Sequence, residues 1–97
     1  MPKAYWVICH RSTKSAEKFA AFTKLAYPAI HAAGGRFLVR TSTVAKTCEH
    51  GVNDRTVVIE FENLAKALAA YETPAYREAL RALGDGAERD LRIVEGV

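Results

Sequence analysis

Residues 34–43 read GGRFLVRTST. Two glycines lead into a strand-like run in which Arg36 and Arg40 bracket Phe37, Leu38 and Val39. Alternate side chains of a regular strand share a face. Phe37, Val39 and Thr41 therefore fall on one side, and Arg36, Leu38, Arg40 and Ser42 on the other. A leucine between two guanidinium groups makes physical sense only if that second side is covered. The fold therefore turns on what covers it.

Upstream, residues 4–10 (AYWVICH) are β-branched and aromatic and read as a strand. Ser12, Thr13 and Ser15 offer N-caps for a helix. In that helix Phe19, Phe22, Ala26, Ala29, Ile30 and Ala33 recur at steps of three and four, while Lys14, Lys18 and Lys24 fall off the stripe. Pro28 lacks an N–H and crowds the carbonyl four residues back, which predicts a kink or restart near Tyr27. Gly34-Gly35 closes the helix, one glycine being free to take the left-handed position.

Downstream, the second strand spans 36–46, residues 51–54 (GVND) turn, and residues 56–61 (TVVIEF) form a third strand. Leu64, Leu68 and Tyr71 mark a second helix. Thr73-Pro74 reads as an N-cap with proline at the first helical position, and Tyr76, Ala79, Leu80 and Leu83 continue the stripe. Gly84-Asp85-Gly86 stops it, and residues 91–94 (LRIV) are the last strand. The order β-α-β-β-α-β is an α+β, ferredoxin-like arrangement: a four-stranded antiparallel sheet with its helices on one face, in one domain over residues 1–97.

Such a sheet leaves its other face bare, and the strands do not alternate cleanly between apolar and polar as a wetted face requires. Tyr5 to Cys9, Phe37 to Val39, and Val57 to Ile59 are apolar in both parities. A monomer rarely exposes a patch of that size, so a second copy packed sheet against sheet is expected. Arg40, on the covered side, needs an acceptor, and Glu60 on the neighbouring strand shares the parity of Val58. Trp6 and His10 share a parity, and a histidine suits a helical core poorly, so both are assigned to the second face. The expected pocket is lined by Trp6, His10, Leu38, Arg40, Val58 and Glu60, with Tyr71 or Tyr76 at its rim.

A chain of 97 residues suits one compact domain. At this length folding buries only ~60–65% of the unfolded surface, so stability is thin. No apolar run reaches the ~18–20 residues of a membrane span, and the N-terminus lacks a signal-peptide cleavage site. Two cysteines are too few for a disulfide framework, which points to reduced thiols in the cytoplasm. Net charge is only +3, but residues 1–46 carry +7 and residues 47–97 carry −4. That asymmetry suits either an anionic ligand or a solvated helix surface.

The strings AYPAIHAAGGRFLVR, RTVVIEF, YETPAY and LRIVEGV resemble the family known as domain of unknown function 1330, within the dimeric α/β-barrel superfamily. The likeness runs from Ala4 to Val97, and GGRFLVR and VVIEF are its most specific parts. It implies a ferredoxin-like fold and a homodimer, and no activity. The superfamily also holds cofactor-free oxygenases, haem-binding proteins, lactone isomerases and stress-response proteins. This chain departs from the family pattern at Thr41-Ser42, where Gly-Gly is usual, at Ala70-Tyr71, at Thr73-Pro74-Ala75-Tyr76, and over Cys9 to Ser15.

Cys9 and His10 are strand neighbours that point to opposite faces, and Cys48 and His50 lie in a connection, so no metal site is expected. No catalytic triad, P-loop or dinucleotide fingerprint is present, and no cofactor is called for. The third strand lacks the aromatic signature of RNA-recognition domains, which excludes nucleic acid. Two functional readings stand. In one, a small anionic or aromatic molecule sits between sheet and helices near Arg40, His10 and Glu60, with His10 as a base for proton transfer or cofactor-free oxidation and Arg40 stabilising charge. In the other, a structural or stress-associated dimer has no specific ligand, and Arg40 and Glu60 set packing alone.

Overall fold

The computed structural model describes residues 2–97. Its elements are β1 (Ala4–Thr13), α1 (Ala16–Ala32), β2 (Arg36–Thr41), β3 (Thr56–Phe61), α2 (Leu64–Tyr71), α3 (Pro74–Leu83) and β4 (Ala87–Glu95). The strands form one antiparallel sheet in the order β2-β3-β1-β4. The expected ferredoxin-like fold is present. α1 packs beside α3, and α2 lies over β1, β3 and β4.

Alternation along β1 settles the two faces. Ala4, Trp6, Ile8 and His10 are buried beneath the helices, whereas Tyr5 and Val7 are half-buried and Cys9 is exposed on the helix-free side. The expectation that Trp6 and His10 lie on the second face is therefore wrong. The wide indole is the piece that fills the gap under α2 and α3. Trp6 has no exposed surface, and its ring meets those of Phe61, Tyr71 and Tyr76 at 5.3, 5.8 and 5.1 Å. Its Nε1–H donates to the Ala67 carbonyl at 2.9 Å, so the buried polar edge is satisfied. That close approach also explains why α2 buries Ala67 and Ala70 and leaves Leu68 half exposed, contrary to the leucine stripe expected there.

A second correction concerns β2. Phe37 faces Ile59 across the ladder, but the next register pair is Val39 with Val58. Leu38 is an extra residue at that step, a bulge, and it reverses the parity of everything beyond it. Val39 turns to the helix-free face, and Arg40, opposite Val57, turns to the helix side. The strand also ends at Thr41 rather than 46. The Thr41 hydroxyl accepts the Thr43 N–H at 3.0 Å, and residues 42–55 cross to β3 without regular structure.

Helix α1 runs unbroken through Pro28, with no restart. Pro28 and Lys24 are both exposed, so the carbonyl that loses its donor lies on the solvent side of the helix. Gly34 takes φ +93° and ends the helix as expected. Gly35 is required for a different reason. A Cβ there would lie 2.5 Å from Ile30 Cγ2 and 3.0 Å from Ile59 Cγ2, inside the contact between α1 and β3. Gly35→Ala should destabilise the fold by about 1–3 kcal/mol through overpacking. Thermal melting should show a loss of roughly 4–8 °C per kcal/mol, and an unchanged melting temperature contradicts this packing.

Candidate functional site

The helix side of the sheet is closed by Trp6 and its neighbours at one end and left open at the other. The open end lies between α1 and the sheet. A narrow pocket there, with room for about 30 Å³, opens to solvent. Ile8, Val57 and Ile59 form the floor, and Phe19, Phe22, Tyr27 and Phe37 supply aromatic walls. The polar groups are His10, Thr23, Arg55, Tyr76 and Arg89.

Three of these form a row across the sheet. His10 pairs with Arg89 in the β1–β4 register, and its backbone N–H donates to the Arg55 carbonyl at 2.9 Å. Arg55, His10 and Arg89 thus occupy adjacent positions at the ends of three neighbouring strands, and all face the cleft. The guanidinium groups rest on rings: Arg89 Cζ is 4.5 Å from the Phe22 centroid, and Arg55 Cζ is 5.8 Å from that of Phe19. Each donates to a tyrosine hydroxyl. Arg89 reaches Tyr76 at 3.4 Å and Arg55 reaches Tyr27. Among the described residues neither guanidinium is ion-paired to a carboxylate, although seven other ion pairs decorate the surface.

His10 is only 4% exposed, with Nε2 at 2.7 Å from the Thr13 hydroxyl and its ring edge-on to Phe19 at 5.0 Å. Burial holds its imidazole below the ordinary 6.5. Asp54 offsets part of the shift, while the positive charges of Arg89 and Arg55 deepen it. Burial likewise pushes the Tyr76 phenol above its ordinary 10.0, and the Arg89 guanidinium pulls it partway back.

The residues singled out in the sequence do not form one cluster. His10 and Tyr76 line the cleft. Arg40 reaches its outer wall, with Cζ at 4.7 Å from the Tyr27 centroid and 4.8 Å from that of Phe37. Trp6 and Tyr71 lie deeper, against α2 and outside the cleft. Glu60 is on the opposite face, across from Arg36 in the register and accepting the Tyr5 hydroxyl at 3.3 Å. It meets neither Arg40, which the Leu38 bulge sends to the other side, nor His10, which the alternation along β1 places beneath the helices. Val58 stays on the helix-free face, opposite Val7, and the exposed Leu38 also lies outside the pocket, which is on the helix side. Cys9 and Cys48 are both exposed free thiols. The sequence does not single out Arg55 or Arg89, because Arg55 adjoins the turn at 51–54 and Arg89 precedes the strand expected at 91–94. Arg55 continues the parity of Val57 and Ile59, and Arg89 that of Leu91 and Ile93. One more step of the same alternation reaches both.

The geometry defines a ferredoxin-like α+β protein with a basic, aromatic-walled cleft under its first helix. A family model described as "Domain of unknown function (DUF1330)" matches residues 3–97, and the chain belongs to that family. Among solved structures, a protein of unknown function from Rhodopseudomonas palustris is similar with a TM-score of 0.75 and 16% identity, covering 99% of this chain and 83% of that one. A candidate antibiotic biosynthesis monooxygenase from Caulobacter crescentus CB15 is similar at 0.67 and 20%, covering 99% and 91%. A dimeric ferredoxin-like protein of unknown function from Thermobifida fusca YX is similar at 0.65 and 16%, covering 98% and 92%. These identities speak to the fold alone. No curated protein matches the chain. Among the described residues there is no helix long and apolar enough to cross a membrane, and no group of three or more side chains placed to hold a metal ion.

The depressed imidazole gives a pH dependence with a definite sign. The folded state keeps His10 neutral, so its contribution is intact above the unfolded value of 6.5 and is lost as pH falls through the lower folded value. Melting temperature should therefore fall on acidification from about pH 7 to about pH 5. His10→Gln should flatten that part of the profile. Parallel profiles for the two proteins contradict a buried neutral histidine.

Proposed function

We propose that the chain works as a homodimer in the cytoplasm, a single domain over residues 1–97, and binds a small anionic or aromatic molecule in the cleft under α1. The observation that carries the binding reading is the Arg55–His10–Arg89 row. It puts two guanidinium groups with no carboxylate partner against aromatic walls, with a buried imidazole between them. Arg groups so placed recognise planar anions through paired hydrogen bonds. His10 and Tyr76 contact the ligand, Arg40 guards the mouth, and Arg55 and Arg89 take over the charge-stabilising role first assigned to Arg40. Trp6 and Tyr71 hold the deep end rigid. A ring is admitted when the half-buried Phe19, Tyr27 and Arg55 side chains swing outward. His10 is then the group able to accept a proton from the ligand.

The second copy covers the helix-free face. Val7, Val39, Val58 and Val94 occupy its centre, and Arg36, Glu60, Asp90 and Arg92 lie around them. Leu38, Val39 and Val94 are 46, 40 and 42% exposed in the single chain. The T. fusca neighbour is described as dimeric, in keeping with this use of the face. Here Glu60 belongs to the seam between copies. Sedimentation equilibrium should give a dimer for the wild type and a monomer for Val58→Glu. A wild type that stays monomeric at millimolar concentration overturns the dimer.

A competing reading, a dimer without a ligand, draws on the tightness of the cleft. Every buried polar side-chain atom among the described residues has a partner, and the void of about 30 Å³ holds only one or two waters. A thermal-shift screen of small carboxylates and phenols separates the two. A specific ligand at ~100 times its Kd should raise the melting temperature of the wild type by roughly 10–20 °C. The same compound should do far less for Arg55→Gln. No hit across the screen favours the ligand-free dimer.

A further inference from the structure

The same row of side chains specifies a class of ligand, and this step rests on the binding reading above. The two guanidinium groups approach the cleft from opposite sides, Arg55 ahead of β3 and Arg89 on β4, with His10 between them on β1. A guanidinium has five N–H donors; Arg89 gives one to the Tyr76 hydroxyl, and Arg55 gives one to the Tyr27 hydroxyl and reaches the Ser42 hydroxyl at 3.5 Å, so donors remain on both. An anion with two coplanar oxygens can take one donor set from each side. A single hydroxyl oxygen cannot meet both arginines without leaving one poorly used. The walls are aromatic rings and the floor is aliphatic, so the part of the ligand behind the anion is flat and apolar.

The charge balance around His10 adds a second feature. From its own strand it meets the Thr13 hydroxyl. From the entry to β3 it faces Asp54 and Arg55, and from β4 it faces Arg89. The cleft wall brings Tyr27 from α1 and Tyr76 from α3. Burial and two positive groups oppose a proton on the imidazole, while Asp54 and a backbone hydrogen bond at Ser12 favour it. An anion seated between the guanidinium groups offsets their field and brings a negative charge up to the ring. Binding and protonation at separate positions are then coupled, and each must strengthen the other.

We propose that the cleft takes a planar aromatic carboxylate, held between Arg55 and Arg89, and that its binding draws one proton from solvent onto His10.

Isothermal titration of the intact protein with benzoate tests this, with benzamide, phenol and acetate as comparison probes. Benzoate should bind at least about tenfold more tightly than each of the other three, a difference of about 1.4 kcal/mol. Titrations in two buffers of different ionisation enthalpy should reveal proton uptake approaching one per benzoate near neutral pH. Affinity should rise as pH is lowered from about 8 to about 6. His10→Gln should still bind benzoate, but more weakly than the wild type at about pH 6, with no proton uptake and no rise in affinity between about pH 8 and about pH 6. Arg55→Gln and Arg89→Gln should each weaken benzoate at least about tenfold. Because Arg89 also holds Tyr76, Arg89→Lys with an unchanged melting temperature serves as the folded control, and it should recover part of the affinity. Benzamide or phenol binding as tightly as benzoate leaves the binding reading intact and overturns the carboxylate. Benzoate binding without proton uptake overturns the role of His10. Failure of all the aromatic probes overturns the binding reading together with this one.

Discussion

Helices cover one face of this sheet and leave the other to whatever the surroundings provide, so the alternation of side chains along each strand assigns every residue its task. On β1 the even positions, Ala4 to His10, go under the helices, and the odd ones, Tyr5 to Cys9, do not. The largest of the even side chains, Trp6, then becomes the joint between layers. It presses on Phe61, Tyr71 and Tyr76 and ties its indole N–H to the backbone of α2. An indole buried with its donor satisfied sets the spacing of the whole second helical segment. The narrow pocket under α1 lies at the other end of the same layer.

That far end is where the polar members of the core parity collect. Burying a polar group is costly unless it is partnered, and the fold meets the cost at the strand ends, where partners can be brought in. His10 finds Thr13, Arg89 finds Tyr76, and Arg55 finds Tyr27. Rings beneath the guanidinium groups supply further attraction. The cleft is thus a continuation of the core in which apolar side chains give way to positive and hydroxyl-bearing ones. An arrangement of this kind costs stability relative to a fully apolar core, which is a physical reason to look for function there.

A good part of this was legible in the chain. The 3.6-residue stripe of α1, the Thr73 cap of α3 and the period-two strands are local patterns, and Gly34 ends its helix as a glycine at that position should. His10 and Tyr76 stood out for their chemistry and do line the cleft. Arg40 shows where the pattern misleads. Its distance along the strand implies the helix-free face, and the one-residue bulge at Leu38 reverses that. Arg55 and Arg89 show the opposite error. Both obey the alternation of β3 and β4, but charged residues at strand ends resemble solvated termini in the sequence.

What the sequence by itself determined is the order of elements, the helix boundaries near glycine and proline, and hence the ferredoxin-like topology, because propensity and hydrophobic period act over a few residues at a time. What only the tertiary structure decided is which side each strand turns inward and which charged groups meet. Strand register is set by hydrogen bonds and packing between segments far apart in the chain. A single bulge, or one indole that fits only beneath the helices, is enough to exchange the two faces.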